Sequence, residues 1–188
     1  MPPKAKISKE MIVNAALEIA RLTGAENINA RTVSQKLNCS TQPIMYHFKT
    51  IEDLKKATYQ KADEHHTTYL SRIEGDNPML GIGMAYIRFA ADEPLLFRFL
   101  FQSNSFSGKS IVELIDDEAL EPILTIFSQG IQIDMIKTKE IFRILFLFVH
   151  GYASMLANNT ISFDEKSIAN DLELVLDGAI CMKQEGAK

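Results

Sequence analysis

The chain has 188 residues, 46% of them apolar and 23% charged, enough for one mid-sized core or for a small domain joined to a larger one. Its two distant cysteines, Cys39 and Cys181, exclude a disulfide framework and a thiolate metal site, which fits a reducing compartment. The formal charge of −4 argues against a nucleic-acid partner until it is divided: residues 1–61 hold ten Lys or Arg against five Asp or Glu, net +5, and residues 62–188 hold ten against nineteen, net −9.

The start, MPPKAKISKE, has no apolar run and reads as a short basic arm, not a secretory signal. Ser8 caps a first helix with Ile12, Ala16 and Ile19 on one face, Glu10 in its first turn and Gly24 at its end. Asn29 is placed to cap a second, two-turn helix in which Val33 and Leu37 form an apolar stripe and Arg31, Gln35 and Lys36 face solvent. Asn38 follows; asparagine enters the left-handed region at little cost, so the chain turns sharply there, with Cys39 as an apolar plug.

Ser40 is the expected cap of a third helix, Thr41 to Phe48, with Pro43 in its first turn, where a missing N–H is harmless. Thr50 and Asp53 make a capping box for a fourth, which Ile51 and Leu54 tie to the core. Helix, tight turn and helix form the helix-turn-helix arrangement, whose second helix enters the DNA major groove. Ile44 and Phe48 face inward, leaving Thr41, Gln42, Tyr46, His47 and Lys49 outside. That set suits a duplex: Gln bonds an adenine edge in two places, Thr touches thymine, and Tyr, His and Lys reach phosphates. The plainer reading is a polar surface helix that touches nothing.

The residues Asn29, Arg31, Val33, Asn38, Cys39, Ser40, Tyr46, His47, Phe48, Lys49, Thr50, Glu52 and Leu54 together resemble the N-terminal pattern of the TetR-type transcriptional regulators of bacteria. The resemblance covers about 50 residues, with two departures: Asn38 stands for the usual turn glycine, and Met45 for a phosphate-binding tyrosine, which moves that role to Tyr46. It implies an all-α chain, a three-helix helix-turn-helix DNA-binding domain over 1–50 and a helical effector-binding and dimerisation domain over 51–188. Its expected DNA contacts are Arg31, Ser40, Thr41, Gln42, Tyr46, His47, Lys49 and Thr50.

The fourth helix is predicted to run to about Glu74, where Gly75-Asp-Asn-Pro breaks the chain and Asn77 caps a fifth. Gly81 and Gly83 weaken that fifth helix by roughly 1 kcal/mol each relative to Ala, so close backbone approach or space for a ligand must compensate. Pro94 starts a sixth, LLFRFLFQ; SNSFSGKS reads as a loop; Pro122 restarts the chain near Glu121, and Gly130 ends the seventh helix. IQID is too short to found a sheet. Ile141 to Ala157 is apolar nearly all round, implying two buried faces, yet at 17 residues with Arg143 and His150 it falls short of the roughly 20 that span a membrane. With Ile168, Leu172, Val175 and Ala179 of the last helix, it is the expected homodimer surface, two helices from each chain forming a four-helix bundle.

The acidic half is rich in Phe and Met, and the resemblance implies a small apolar or aromatic effector within it. Tyr69, Tyr86 and His150 bring polar tips into apolar stripes and, with Phe89, Phe127 and Phe146, are the candidate ligand contacts; the plainer reading makes each aromatic residue core. His65 and His66, beside Asp63 and Glu64, point apart on a helix, so a shared metal is not expected and a solvated surface is. No phosphate loop, HExxH, Gly-x-Ser-x-Gly or Cys–His pairing supports an enzyme, and no cofactor is implied. The expectation is a cytoplasmic, dimeric, ligand-responsive regulator, a repressor of a palindromic DNA operator; the alternative is a helical structural or protein-interaction module that meets DNA incidentally.

Overall fold

A computed structural model describes residues 7–71, 77–103 and 111–185. The chain is all-α, and among the described residues there is no strand. It divides into two compact units, the first Met1–Thr68 with Glu93–Ser105 and the second Tyr69–Asp92 with Phe106–Lys188.

The first unit opens with α1, Lys9–Thr23, capped by the Ser8 hydroxyl, which accepts from the Met11 N–H at 3.1 Å. One face, Ile12, Ala15, Ala16, Ile19 and Ala20, is buried. Gly24 ends the helix at φ +98°, a conformation that side chains disfavour, and a single 3-10 turn, Ala25–Asn27, follows. Helix α2, Ala30–Lys36, starts from a complete capping box: the Asn29 side chain accepts from Thr32 N–H at 3.0 Å and the Thr32 hydroxyl accepts from Asn29 N–H at 3.2 Å. Asn38 is left-handed, φ 50°, as its place after the apolar stripe suggested, and brings the chain into α3, Gln42–His47.

The cap of α3 differs from expectation. Thr41, not Ser40, is the boundary residue, and its backbone is already helical at φ −71°, ψ −14°, a geometry that gives no side-chain cap; Ser40 is exposed one position too early. Helix α4, Ile51–Leu70, begins with the expected reciprocal pair, Thr50 and Asp53, both bonds at 3.1 Å. Its expected extension toward Glu74, and the start of the Gly75 break, lie largely outside the described residues. Helix α6, Pro94–Phe101, packs on α1, and the ring of Phe99 meets Tyr59 of α4 edge to face at 5.6 Å. The Tyr59 hydroxyl donates to the Leu100 carbonyl at 3.1 Å.

A polar clamp joins α1 to the start of α6. Arg21 donates to both oxygens of Glu93, with Nε at 3.0 Å from Oε2 and Nη2 bonded to Oε1. The hydrogen bond to Glu93 is the main reason the guanidinium binds its proton more tightly than usual. His65 stands 3.8 Å from the same carboxylate. His66 corrects the expectation of a solvated pair: it is buried, with its ring edge-on to Phe101 at 5.0 Å. Burial, and then the neighbouring His65, push its pKa down to about 4.

The second unit contains α5, Pro78–Asp92; α7, Ile111–Ile115; α8, Glu121–Ile131; α9, Met135–Ala157; and α10, Glu165–Glu185. Asn77 caps α5 as expected, accepting from Met79 N–H at 3.0 Å. A Cβ on Gly83 would lie 2.8 Å from Leu172 and 3.4 Å from Val149, so this glycine permits α5 to sit close to α9 and α10. Helix α7 was not anticipated, and the expected loop before it lies, except for Ser103, outside the described residues. Gly130 does not end α8; the turn is made by Gln132 in the left-handed region, φ 55°, and Asn159 does the same after α9.

Helix α9 is capped by Asp134, whose side chain accepts from Lys137 N–H, and its 23 residues are long and apolar enough by composition to cross a membrane. It packs on α5, α8 and α10, burying Ile141, Leu145, Val149, Ala153 and Leu156. On α10 the row Ile168, Leu172 and Ala179 is buried in the same unit, so any pairing surface on that helix is its opposite face.

Two outcomes follow from the first unit's interior. Arg21→Ala strands the Glu93 carboxylate, whose side chain is 14% exposed, and should cost about 1–3 kcal/mol in urea denaturation; an unchanged midpoint would show that the clamp does not stabilise the fold. His66 stays neutral in the native chain between its ordinary 6.5 and about 4, while the unfolded chain takes up the proton. Its stabilising effect is complete above pH 6.5 and declines as the pH falls toward 4, at a slope of at most about 1.4 kcal/mol per pH unit. His66→Leu should flatten that dependence, and parallel stability-against-pH curves for both proteins would refute it.

Candidate functional site

Six residues cannot hold a helix in water, so α3 exists because the first unit buries one side of it. Ile44 is fully buried and Phe48, just past the last turn, is 3% exposed. With those anchors inside, Thr41, Gln42, Met45, Tyr46, Lys49 and Thr50 are exposed, Tyr46 at 82%. The polar side of α3 is thus an outward row of one amide, two hydroxyls and, just beyond its end, an ammonium. Arg31 is exposed at the first turn of α2.

Two of the expected contact residues are engaged within the chain, and a third lacks its expected capping role. His47 is half-buried, with Nε2 at 3.1 Å from the Ile7 carbonyl, so this ring holds the chain just before α1 against the end of α3. The Thr50 hydroxyl accepts from Asp53 N–H as the cap of α4. Ser40 is exposed but caps nothing.

The six candidate ligand residues fall into separate groups in the second unit. Tyr86, Phe146 and His150 meet: the Tyr86 hydroxyl is 3.0 Å from His150 Nδ1, Phe146 stacks on His150 at 5.7 Å between ring centres, and Tyr86 meets Phe146 at 6.2 Å. Burial lowers the His150 pKa, which favours the neutral form of the ring. Tyr69 and Phe89 form a second group, ring edge to ring at 5.3 Å, with the Tyr69 hydroxyl donating to Asp92 at 2.5 Å. Phe127 is buried, and among the described residues no ring contact joins it to either group. A cavity of about 350 Å³ opens beside Met79, Ile126 and Leu176, and one of about 250 Å³ beside Leu124 and Met135; none of the six lines either.

Sequence reading missed a third and larger hollow, a cleft of about 700 Å³ in the first unit between the Gly24–Glu26 turn, the beginning of α4 and α6. Lys55, Lys56 and Arg98 line it with Leu95 and Phe99. These residues are up to 79 positions from Gly24 in sequence at Ser103, and no local pattern brings them together.

No family model matches the chain. Over 103 residues it is 28% identical to an uncharacterized HTH-type transcriptional regulator, YobS, of Bacillus subtilis (strain 168), a match covering 50% of this chain and 51% of that protein. The chain thus spans about half the length of the curated relative it matches. The fold resembles that in the crystal structure of the multidrug binding protein EbrR complexed with imidazole, with a TM-score of 0.53 and 17% identity over 88% of each chain. The molecule is therefore similar in sequence, along half its length, to a helix-turn-helix regulator, and similar in fold, along most of it, to a multidrug binding protein.

Proposed function

We propose that the chain is a DNA-binding transcriptional regulator of the TetR type, a repressor that binds a palindromic operator as a homodimer and is released by a small apolar or aromatic effector. The observation that carries the reading is the outward polar row of α3, anchored by Ile44 and Phe48. The net charge of +5 on residues 1–61 and the name of the B. subtilis relative support it. In this reading residues 1–50 hold the DNA-binding head and 51–188 the effector and pairing functions, in the cytoplasm and without catalysis.

Gln42 reads a base edge, Thr41 adds a methyl or hydroxyl contact, and Tyr46, Lys49 and Arg31 hold phosphates. Ser40 and Thr50 stand at the two ends of the row, and His47 positions it through Ile7. The effector lies in the second unit against the Tyr86, Phe146 and His150 cluster, with Tyr69, Phe89 and Phe127 shaping the surrounding core. Binding there favours a state with lower operator affinity, and α4, unbroken from Ile51 to Leu70, carries the shift.

Pairing uses α9 and α10. Ile144, Leu147 and Met155 are 41%, 55% and 44% exposed on one side of α9, and Leu174 and Met182 are 73% and 75% exposed on α10. An apolar row of this kind on two long helices suits a second copy of the same surface.

Selection of sites from a randomised DNA pool tests the head. Gln42→Ala should change preference by about 1–3 kcal/mol at one base pair, whereas Lys49→Ala should weaken every sequence alike and reduce the salt slope by about 1. Equal, sequence-independent losses from both would remove Gln42 from base reading. Sedimentation equilibrium tests the pairing: the unaltered chain should weigh two copies and Leu147→Arg one, with operator affinity lost in the variant. A single-chain mass for the unaltered protein at high concentration would end the dimer reading.

A further inference from the structure

We infer that the cleft in the first unit is a binding site for an organic monoanion with an apolar body, an aromatic carboxylate being the class that fits. Its volume of about 700 Å³ is that of a small-molecule site. The wall is apolar and fixed. Leu95 and Phe99 supply it from α6, and Phe99 is held edge-on against Tyr59, whose hydroxyl is itself bonded to the Leu100 carbonyl.

The rim is cationic. Three cations face two carboxylates: Glu52 pairs with Lys55 at 3.4 Å, and Glu26, folded over the Cα of Gly24, has no ion pair among the described residues, so Lys56 and Arg98 together outweigh it by one charge. Lys56 and Arg98 have no ion pair among the described residues. Arg98 is half-buried on α6 and Lys56 exposed on α4, so one planar fork and one mobile ammonium border the same apolar wall. A carboxylate takes two parallel hydrogen bonds from a guanidinium, and the ring attached to it covers Leu95 and Phe99. An inorganic anion would leave that wall in water, and a neutral aromatic would leave Arg98 unmatched.

The site is independent of the DNA reading, and its test needs no operator. Titration calorimetry of the full chain uses 2-naphthoate, with 2-naphthamide for the ring without charge and inorganic phosphate for charge without a ring. The naphthoate should bind saturably and raise Tm, while both comparators bind at least about tenfold more weakly. Arg98→Gln should weaken the naphthoate about tenfold and Lys56→Gln, at an exposed position that alters no packing, about threefold. Leu95→Glu, which keeps both cations, should abolish it. Absence of saturable binding, equal binding of the amide, or unchanged affinity in Lys56→Gln would each overturn the assignment, the last even if Arg98→Gln unfolds the protein.

Discussion

The burial of Ile44 and Phe48 is the constraint on which the candidate interface depends. A helix of six residues gains too few backbone hydrogen bonds to repay its nucleation, so α3 is held by the unit it leans on and by no strong propensity of its own. Fixing two inward side chains at i and i+4 sets the rotation of the whole element. The polar residues then face outward as a consequence of packing, and their chemical identity is left free of any demand made by folding. That freedom leaves the outward row open to change without disturbing the packing beneath it.

Around that element the first unit is closed by directional contacts as well as by apolar burial. Asn29 and Thr32 close the entrance of α2, Thr50 and Asp53 that of α4, and Arg21 reaches Glu93 from a helix 72 residues earlier. The second unit relies more on close approach: Gly83 lets α5 settle against Leu172 and Val149, and α9 is buried along one full side. Charge divides along the chain as well, into a basic first third and an acidic remainder.

What could be read in the sequence was what local rules control. The caps at Ser8, Asn29, Thr50 and Asn77, the left-handed Asn38 and the inward pair on α3 depend on residues a few positions apart, and they stand where spacing put them. The Ser40 cap went astray because the backbone is already helical at Thr41, so α3 starts one residue later than expected and without a side-chain cap. The end of α8 went astray because Gly130 is a frequent terminator, and here Gln132 took the left-handed place. Non-local features left no trace: the Arg21–Glu93 clamp, the burial of His66 and the cleft at Lys56 and Arg98 exist only once α6 lies beside α1 and α4. Among the candidate ligand residues, the likeness of core and cavity aromatics hid that Tyr86, Phe146 and His150 cluster while Phe127 stands apart.

The left-handed turns at Asn38, Gln132 and Asn159 carry side chains where glycine would be the relaxed choice. Each stores local strain of roughly 1 kcal/mol in the native backbone, yet each also denies the disordered chain the wide conformational range that glycine would give it. The two effects oppose one another at similar size, so net stability is nearly indifferent to the choice. What the choice does change is stiffness: the corners after α2, α8 and α9 have fewer alternative geometries to visit, and the helices they join hold their crossing angles with less thermal play.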